Sequence, residues 1–179
     1  GAGRAGAGGG GRGGGGGVAL GGAEGSRAGG RADKPLVVRV AGVDGEGGIW
    51  NLDDTIALSK ALKDREIDLI DCSSGGIGGD SDMPMVPRII RFQAGFAQRV
   101  RREADIMTIA VGGVTQAHQA EAILQRGQAD LVGIAREFLW NSDWAAHAAL
   151  ELGAPDPSGQ MPEEYAYRLH LRAKARDMP

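Results

Sequence analysis

The chain has 179 residues, a formal net charge of −3 and a single cysteine, Cys72. The acidic balance argues against nucleic acid or an anionic membrane as the main partner. One cysteine excludes an internal disulfide and favours a reducing compartment. No apolar stretch approaches the ~20 residues that a membrane-spanning helix needs, and no secretory signal is apparent. These properties predict a soluble cytoplasmic protein.

Residues 1–33 form a glycine-rich, low-complexity segment that holds over half of the 32 glycines. The segment has no aromatic residue and almost no large apolar one, so we expect a disordered tail. Its arginines are sparse and lack interleaved aromatics, which disfavours an RNA-binding role. A shifted reading frame in GC-rich DNA is another hypothesis for its origin, which the upstream nucleotide sequence would test. Residues 34–179 are long enough for one domain with a real core.

From Lys34 onward, short apolar runs typical of buried strands alternate with segments of helical spacing. The predicted strands cover residues 36–41, 67–72, 106–111 and 131–135. The first predicted helix is capped by Asn51 or Asp53. Further helices are predicted over about 93–103, 116–126 and 144–152, and another after Pro162. Loops are expected at 45–48 and around Pro84 and Pro87. Continuous apolar strands without hairpin signals indicate a parallel sheet buried on both faces, either a small open sheet or half of a barrel.

Two predicted strands end in residues suited to holding an anion. The third strand stops at Gly112 and Gly113, and the fourth is followed by Ala135 and Arg136. Adjacent parallel strands that end this way place backbone N–H groups side by side at the carboxyl edge of the sheet, where phosphate is bound. A phosphate-bearing cofactor or substrate is therefore the first hypothesis. The alternatives are an ordinary strand-to-helix turn at the glycines and a surface ion pair from Arg136 to Glu137 or Asp130.

Three further kinds of side chain could carry chemistry. Arg39 interrupts an apolar strand, which is costly unless the charge is paired, for instance with Asp71. Cys72 has no neighbour that would lower its pKa, so core packing is the favoured interpretation. No Cys/His cluster has metal-ligand spacing, and we expect no metal site. Solvated surface positions on helices are expected for His118, His147 and His170.

Several stretches, in the same order along the chain, are similar to the Old Yellow Enzyme family of flavin-dependent NAD(P)H oxidoreductases, which are (β/α)8 barrels. Together they cover nearly all of residues 33–151, and the closest likeness is to the bacterial branch similar to xenobiotic reductases. The stretches are Asp33–Val40, Glu46–Gly48, Ile67–Gly76, Phe96–Ala104, Ala110–Thr115, Gln119–Leu124 and Ala129–Glu137.

The resemblance implies the C-terminal half of a TIM barrel, with four βα units that correspond to strands five to eight. It also implies FMN as cofactor, NAD(P)H as reductant, and activated alkenes or nitro compounds as substrates in the intact family. Arg39 corresponds to an arginine at the N1/O2 edge of the flavin ring. The family often has Gly-Arg where this chain has Ala135-Arg136. The cofactor-binding residues implied are Arg39, Val111, Gly112, Gly113, Ala135 and Arg136.

The resemblance assigns no catalytic residue here, because the family's substrate-binding histidine pair and its tyrosine belong to the other half of the barrel. We expect weak or no turnover from this chain alone. Open sheet edges favour aggregation or pairing with another half, and the segment Pro162–Arg168 resembles one that contacts a neighbouring subunit, so a homo-oligomer is expected. Two alternative hypotheses remain for the function of the chain. It could be a non-catalytic remnant that binds no cofactor, or it could be half of a different phosphate-binding barrel, such as an aldolase or an isomerase. The second alternative requires a lysine or carboxylate at a strand end, whereas Lys60 and Lys63 are on a predicted helix.

Overall fold

The computed structural model describes residues 14–44, 50–74 and 93–176. The loops expected at 45–48 and around Pro84 and Pro87 lie outside these ranges. The helices are α1 (Gly14–Gly29), α2 (Leu52–Lys63), α3 (Ala94–Ala104), α4 (Ala117–Gln125), α5 (Arg136–Trp140), α6 (Trp144–Glu151) and α7 (Glu163–Arg176), with a 3-10 turn at Pro157–Gln160. The strands are β1 (Val37–Ala41), β2 (Leu69–Ser73), β3 (Met107–Val111) and β4 (Leu131–Gly133).

The chain forms two compact units where the sequence indicated one domain. The first comprises Gly1–Gly113 and Ile123–Gly133, and the second comprises Val114–Ala122 and Ile134–Pro179. All four strands belong to the first unit.

The four strands form one parallel sheet in which each pairs with the next along the chain, in the order β1-β2-β3-β4. Parallel neighbours need a crossover, and a helix lies in each connection. The predicted α/β class with alternating strands and helices is therefore confirmed. The fourth strand ends at Gly133 rather than at residue 135, because its register partner Val111 is the last residue of β3 and the pairing stops there.

Helix α2 begins where its capping signal predicts. The side chain of Asn51 accepts hydrogen bonds from the backbone N–H groups of Asp53 and Asp54, at 2.8 and 3.2 Å. The Asp54 carboxylate accepts in return from the Asn51 N–H at 3.0 Å, which completes a capping box. Asn51, and not Asp53, is therefore the cap.

The two faces of the sheet differ in burial. Val40, Cys72 and Ala110 occupy one row of the register and are at most 8% exposed. The opposite face carries Val37 and Met107, which are 45% and 51% exposed. Leu131, whose register partner Ile109 shares this face with Met107, is 49% exposed. Leu69, which lies between Val37 and Met107 in the register, is 6% exposed. In the described part of the chain this second face, called the uncovered face below, is therefore only partly buried, and the prediction of burial on both faces is met only in part.

Helix α1 lies within the segment for which the composition favours disorder. Glycine disfavours a helix by about 1 kcal/mol per residue relative to alanine, but tertiary contacts override this preference here. Ala23 is 4% exposed, and Glu24 forms an ion pair with Arg65 at 2.7 Å. Arg27 donates to the carbonyl of Glu66 and to the carboxylate of Asp68. Residues 14–29 of the segment expected to be disordered are therefore helical in the structure, and residues 1–13 lie outside the described ranges.

The second unit is helical. Trp144 donates from Nε1 to the carbonyl of Thr115 at 2.8 Å, and its ring lies 5.7 Å from that of Phe138. The neighbouring Leu139 and Trp140 are 88% and 87% exposed. No helix in the described part of the chain combines the length and apolar character that crossing a membrane requires.

Asp68 provides a prediction about acid stability. Its carboxylate accepts from the Leu36 N–H at 2.7 Å and from Arg27 at 2.6 Å, and these hydrogen bonds lower its pKa. A lowered pKa stabilises the fold above the ordinary aspartate pKa, and the stabilisation is lost as pH falls through the lower folded value. The free energy of unfolding of the wild type should therefore exceed that of Asp68→Asn by the largest amount above about pH 5. This difference between the two proteins should shrink as the pH falls toward about 2. Urea unfolding at several pH values measures it, and a gap that did not vary with pH would contradict the prediction.

Candidate cofactor site

The carboxyl ends of β3 and β4 lie side by side. Val111 is the register partner of Gly133, and each is the last residue of its strand. Gly112 and Gly113 follow with φ values of 110° and 67°. These angles are open to glycine and strained for other residues. Two successive glycines of this kind leave the backbone accessible at a sheet edge that commonly binds anions.

Gly133 lies beside the candidate site, as the register partner of Val111, and was not among the predicted cofactor-binding residues. A Cβ at this position would lie 2.8 Å from Cγ1 of Val111 and 3.2 Å from Cγ2 of Ile109. The side chains of β3 therefore lie over the glycine, and a larger residue would push them away. The signal was available, since glycine inside a strand often marks a close approach.

Arg39 points toward the carboxyl end of the sheet on the uncovered face. It lies in the middle of β1, and its Nη2 donates to Oγ of Ser73, the last residue of β2, at 3.0 Å. Its Nη1 lies 3.5 Å from Oδ2 of Asp71, the register partner of Arg39. The Arg39 side chain is 64% exposed. The predicted pairing with Asp71 is therefore present, but the guanidinium is not buried.

In the Arg39–Asp71 pair, the carboxylate is much less exposed to solvent than the guanidinium. The Asp71 side chain is only 15% exposed, and its Oδ1 is buried without a hydrogen-bond partner among the described residues. Burial raises the pKa of Asp71, and the nearby Arg39 charge partly offsets this rise. The uncovered face therefore holds a largely solvated cation beside a poorly hydrated carboxylate.

Ala135 and Arg136 belong to the second unit. Ala135 precedes α5, and Arg136 is the first residue of that five-residue helix. Arg136 is exposed and forms no ion pair within residues 14–44, 50–74 and 93–176. Asp130, one of its two predicted partners, bonds Arg101 and the Thr108 N–H instead. The alternative of a surface ion pair for Arg136 is thus not found in the described structure.

The cysteine and the two lysines considered as catalytic candidates lie in places where they serve the fold. Cys72 is fully buried, and burial raises the pKa of its thiol to about 12, so its predicted core role is confirmed. Lys60 and Lys63 lie on α2, and Lys63 pairs with Asp105 at 2.7 Å. Among the described residues, no group of three or more His, Cys, Asp or Glu could hold a metal ion.

The three histidines are exposed helical residues, as predicted. His118 Nδ1 lies 2.6 Å from Glu151, and His147 Nδ1 lies 2.9 Å from the Asn141 amide. His170 Nε2 contacts Ser158 Oγ at 2.8 Å and Asp156 at 3.2 Å. Serine and aspartate meet the same ring nitrogen, so this cluster lacks the arrangement of a catalytic triad.

Comparison with known proteins gives consistent matches. A sequence profile described as NADH:flavin oxidoreductase / NADH oxidase family matches residues 26–154. A NADPH dehydrogenase of Halalkalibacterium halodurans is 46% identical over 121 residues, which are 68% of this chain and 35% of that protein. The NADPH dehydrogenase of Bacillus subtilis is 40% identical over 126 residues, 70% of this chain and 36% of that protein. The chain spans about a third of the length of these relatives.

Proposed function

The chain belongs to the NADH:flavin oxidoreductase / NADH oxidase family, as the likeness to Old Yellow Enzyme indicated, and on that premise we propose that it is the FMN-binding part of an NAD(P)H-dependent reductase. The reaction is of the ene-reductase type, on activated alkenes or nitro compounds. When bound, FMN supplies the redox chemistry, and the residues of this chain bind and orient it.

The observation that carries the proposal is the turn after β3. Gly112 and Gly113 both have positive φ and directly follow the strand that pairs with β4. Because neither residue has a Cβ, a phosphate can approach the backbone N–H groups closely. These N–H groups are the proposed donors to a dianion at this edge of the sheet, and Val111 is the last strand residue before them.

Arg39 suits the other end of the cofactor. Its guanidinium is largely exposed and extends toward the carboxyl end of the sheet, two strands away from Val111. A cation there would stabilise negative charge on the N1/O2 edge of a reduced flavin ring. Ala135 and Arg136 enter the proposal from the family resemblance alone, Arg136 as a guanidinium able to bond two phosphate oxygens.

We also propose that the sheet is one half of a (β/α)8 barrel. Parallel sheets have both faces covered, and the inside of a barrel is filled by side chains from all of its strands. Val37 and Met107 on the uncovered face would be interior residues of such a barrel. The outer edges of β1 and β4 would pair with strands of the other half. We expect weak or no turnover from this chain alone.

Flavin binding tests the proposal. Titration of the purified chain into FMN and into riboflavin, followed by flavin fluorescence, should give saturable FMN binding at least about tenfold tighter than riboflavin binding, because charge-assisted hydrogen bonds to phosphate are worth roughly 1.5–3 kcal/mol each. Equal affinities would refute a phosphate site after β3. Binding of neither flavin would instead support the alternative of a cofactor-free remnant.

A further inference from the structure

Asp71 and Ser73 together fix the Arg39 guanidinium. Both belong to β2, two residues apart, so their side chains lie on the same face of the strand. They take one guanidinium nitrogen each, Asp71 at 3.5 Å and Ser73 at 3.0 Å. A long arginine side chain on an open face would otherwise sample many rotamers. Two partners on a rigid neighbouring strand restrict it to one direction.

The same contact also sets the local charge. Asp71 lies directly across from Arg39 in the register, and its carboxylate is shielded from water while the guanidinium is not. In such a medium, an opposite charge a few ångströms away compensates a substantial part of the field of a cation. A ligand that contacts the exposed side of Arg39 would therefore meet a partly neutralised guanidinium.

On the premise of the proposed function, we propose that Asp71 is a positioning residue that aims Arg39 at the flavin ring and limits its positive charge there. Asp71 touches neither cofactor nor substrate and acts through Arg39. The carboxylate thus tunes how strongly the site prefers reduced over oxidised FMN.

Asp71→Asn tests the charge, because asparagine keeps the size and an acceptor oxygen. Its preference for reduced over oxidised FMN should rise by roughly tenfold, which is about 30 mV for a two-electron couple. The measurement is the dissociation constant of each form, taken aerobically and after anaerobic reduction with dithionite. Asp71→Ala removes the acceptor as well and should weaken the binding of both forms, because Arg39 loses its fixed direction.

Asp68→Asn is the matched control. Asp68 contributes a carboxylate from just before the same strand, but it bonds Arg27 and the Leu36 N–H at the opposite end. It should lower stability without changing the preference between the two FMN forms. A purely structural role for Asp71 predicts the same behaviour for Asp71→Asn, and an unchanged preference in that variant would overturn the inference while leaving the proposed function intact.

A cofactor-free measurement separates the two proposals further. In the apo chain, Arg39→Leu should raise the pKa of the Asp71 carboxyl, followed by its ¹³C chemical shift, because the guanidinium favours the ionised form. An unchanged pKa would show that the pair is not coupled and would overturn the inference. Failure of the wild type to bind either form of FMN would overturn the proposed function, and the inference that rests on it, whatever the pKa result.

Discussion

The double variant Gly112→Ala/Gly113→Ala should bind FMN about a hundredfold or more weakly, which corresponds to the loss of two charge-assisted hydrogen bonds. Alanine at φ values of 110° and 67° is strained. The backbone would relax toward negative φ and turn the N–H groups away from the phosphate position. Each added Cβ would also occupy space that the anion needs. Equilibrium dialysis with FMN measures the change.

Gly127→Ala/Gly153→Ala is the control for this variant. These two glycines also have positive φ, 62° and 71°, and they lie at helix ends rather than after a strand. A Cβ added at either position would come no closer than 3.9 Å to a neighbouring atom. The control pair should lose a similar amount of stability, about 1–2 kcal/mol per site, yet retain FMN affinity. Equal loss of affinity in both pairs would indicate general destabilisation instead of a phosphate site.

Two fully buried threonines should respond oppositely to valine. Thr55 Oγ1 accepts from the Trp50 indole N–H at 2.6 Å and lies 2.9 Å from the carbonyl of Gly42, to which it donates. Thr55→Val leaves both groups without their partner, and we expect a loss of about 2–4 kcal/mol in the free energy of unfolding. The variant should also loosen the start of the loop that follows β1.

Thr108 has the opposite environment. Its side chain is fully buried, and its Oγ1 has no hydrogen-bond partner within the described structure. Thr108→Val removes a polar group that gains nothing from burial, so it should stabilise the protein by about 1 kcal/mol. Urea denaturation of both variants measures the two changes, and destabilisation by both would mean that the Thr108 hydroxyl is bonded in solution.

The strands and most helices could be predicted from local patterns. Runs such as 36–41 are mostly apolar and rich in β-branched valine, and the Asn51 capping box is encoded in four consecutive residues. The strand-end glycines and Arg39 were found for the same reason, because each is an exception inside a clear pattern. The side-by-side position of Val111 and Gly133 follows from parallel pairing between successive units.

What escaped prediction depends on contacts between distant residues. Helix α5 is too short for a period to be visible, and α1 owes its order to partners such as Arg65 and Asp68. The uncovered sheet face could not be predicted because an apolar run looks the same whether or not anything covers it. The burial of the Asp71 carboxylate beside Arg39 could not be predicted either, since the sequence gives the pairing option but not the exposure of the side chain.

The strand order has a consequence for how this sheet can assemble during synthesis. Among the described residues, each strand bonds to the strand that precedes or follows it along the chain, so β1 to β4 find these partners in the order of their synthesis. The entropic cost of closing a loop grows with its length, so pairing between successive strands costs less than pairing between strands at opposite ends of the chain. Because the chain leaves the ribosome from its amino end, β1 and β2 can pair first. Strand β3 can then pair with the free edge of β2, and β4 with the free edge of β3.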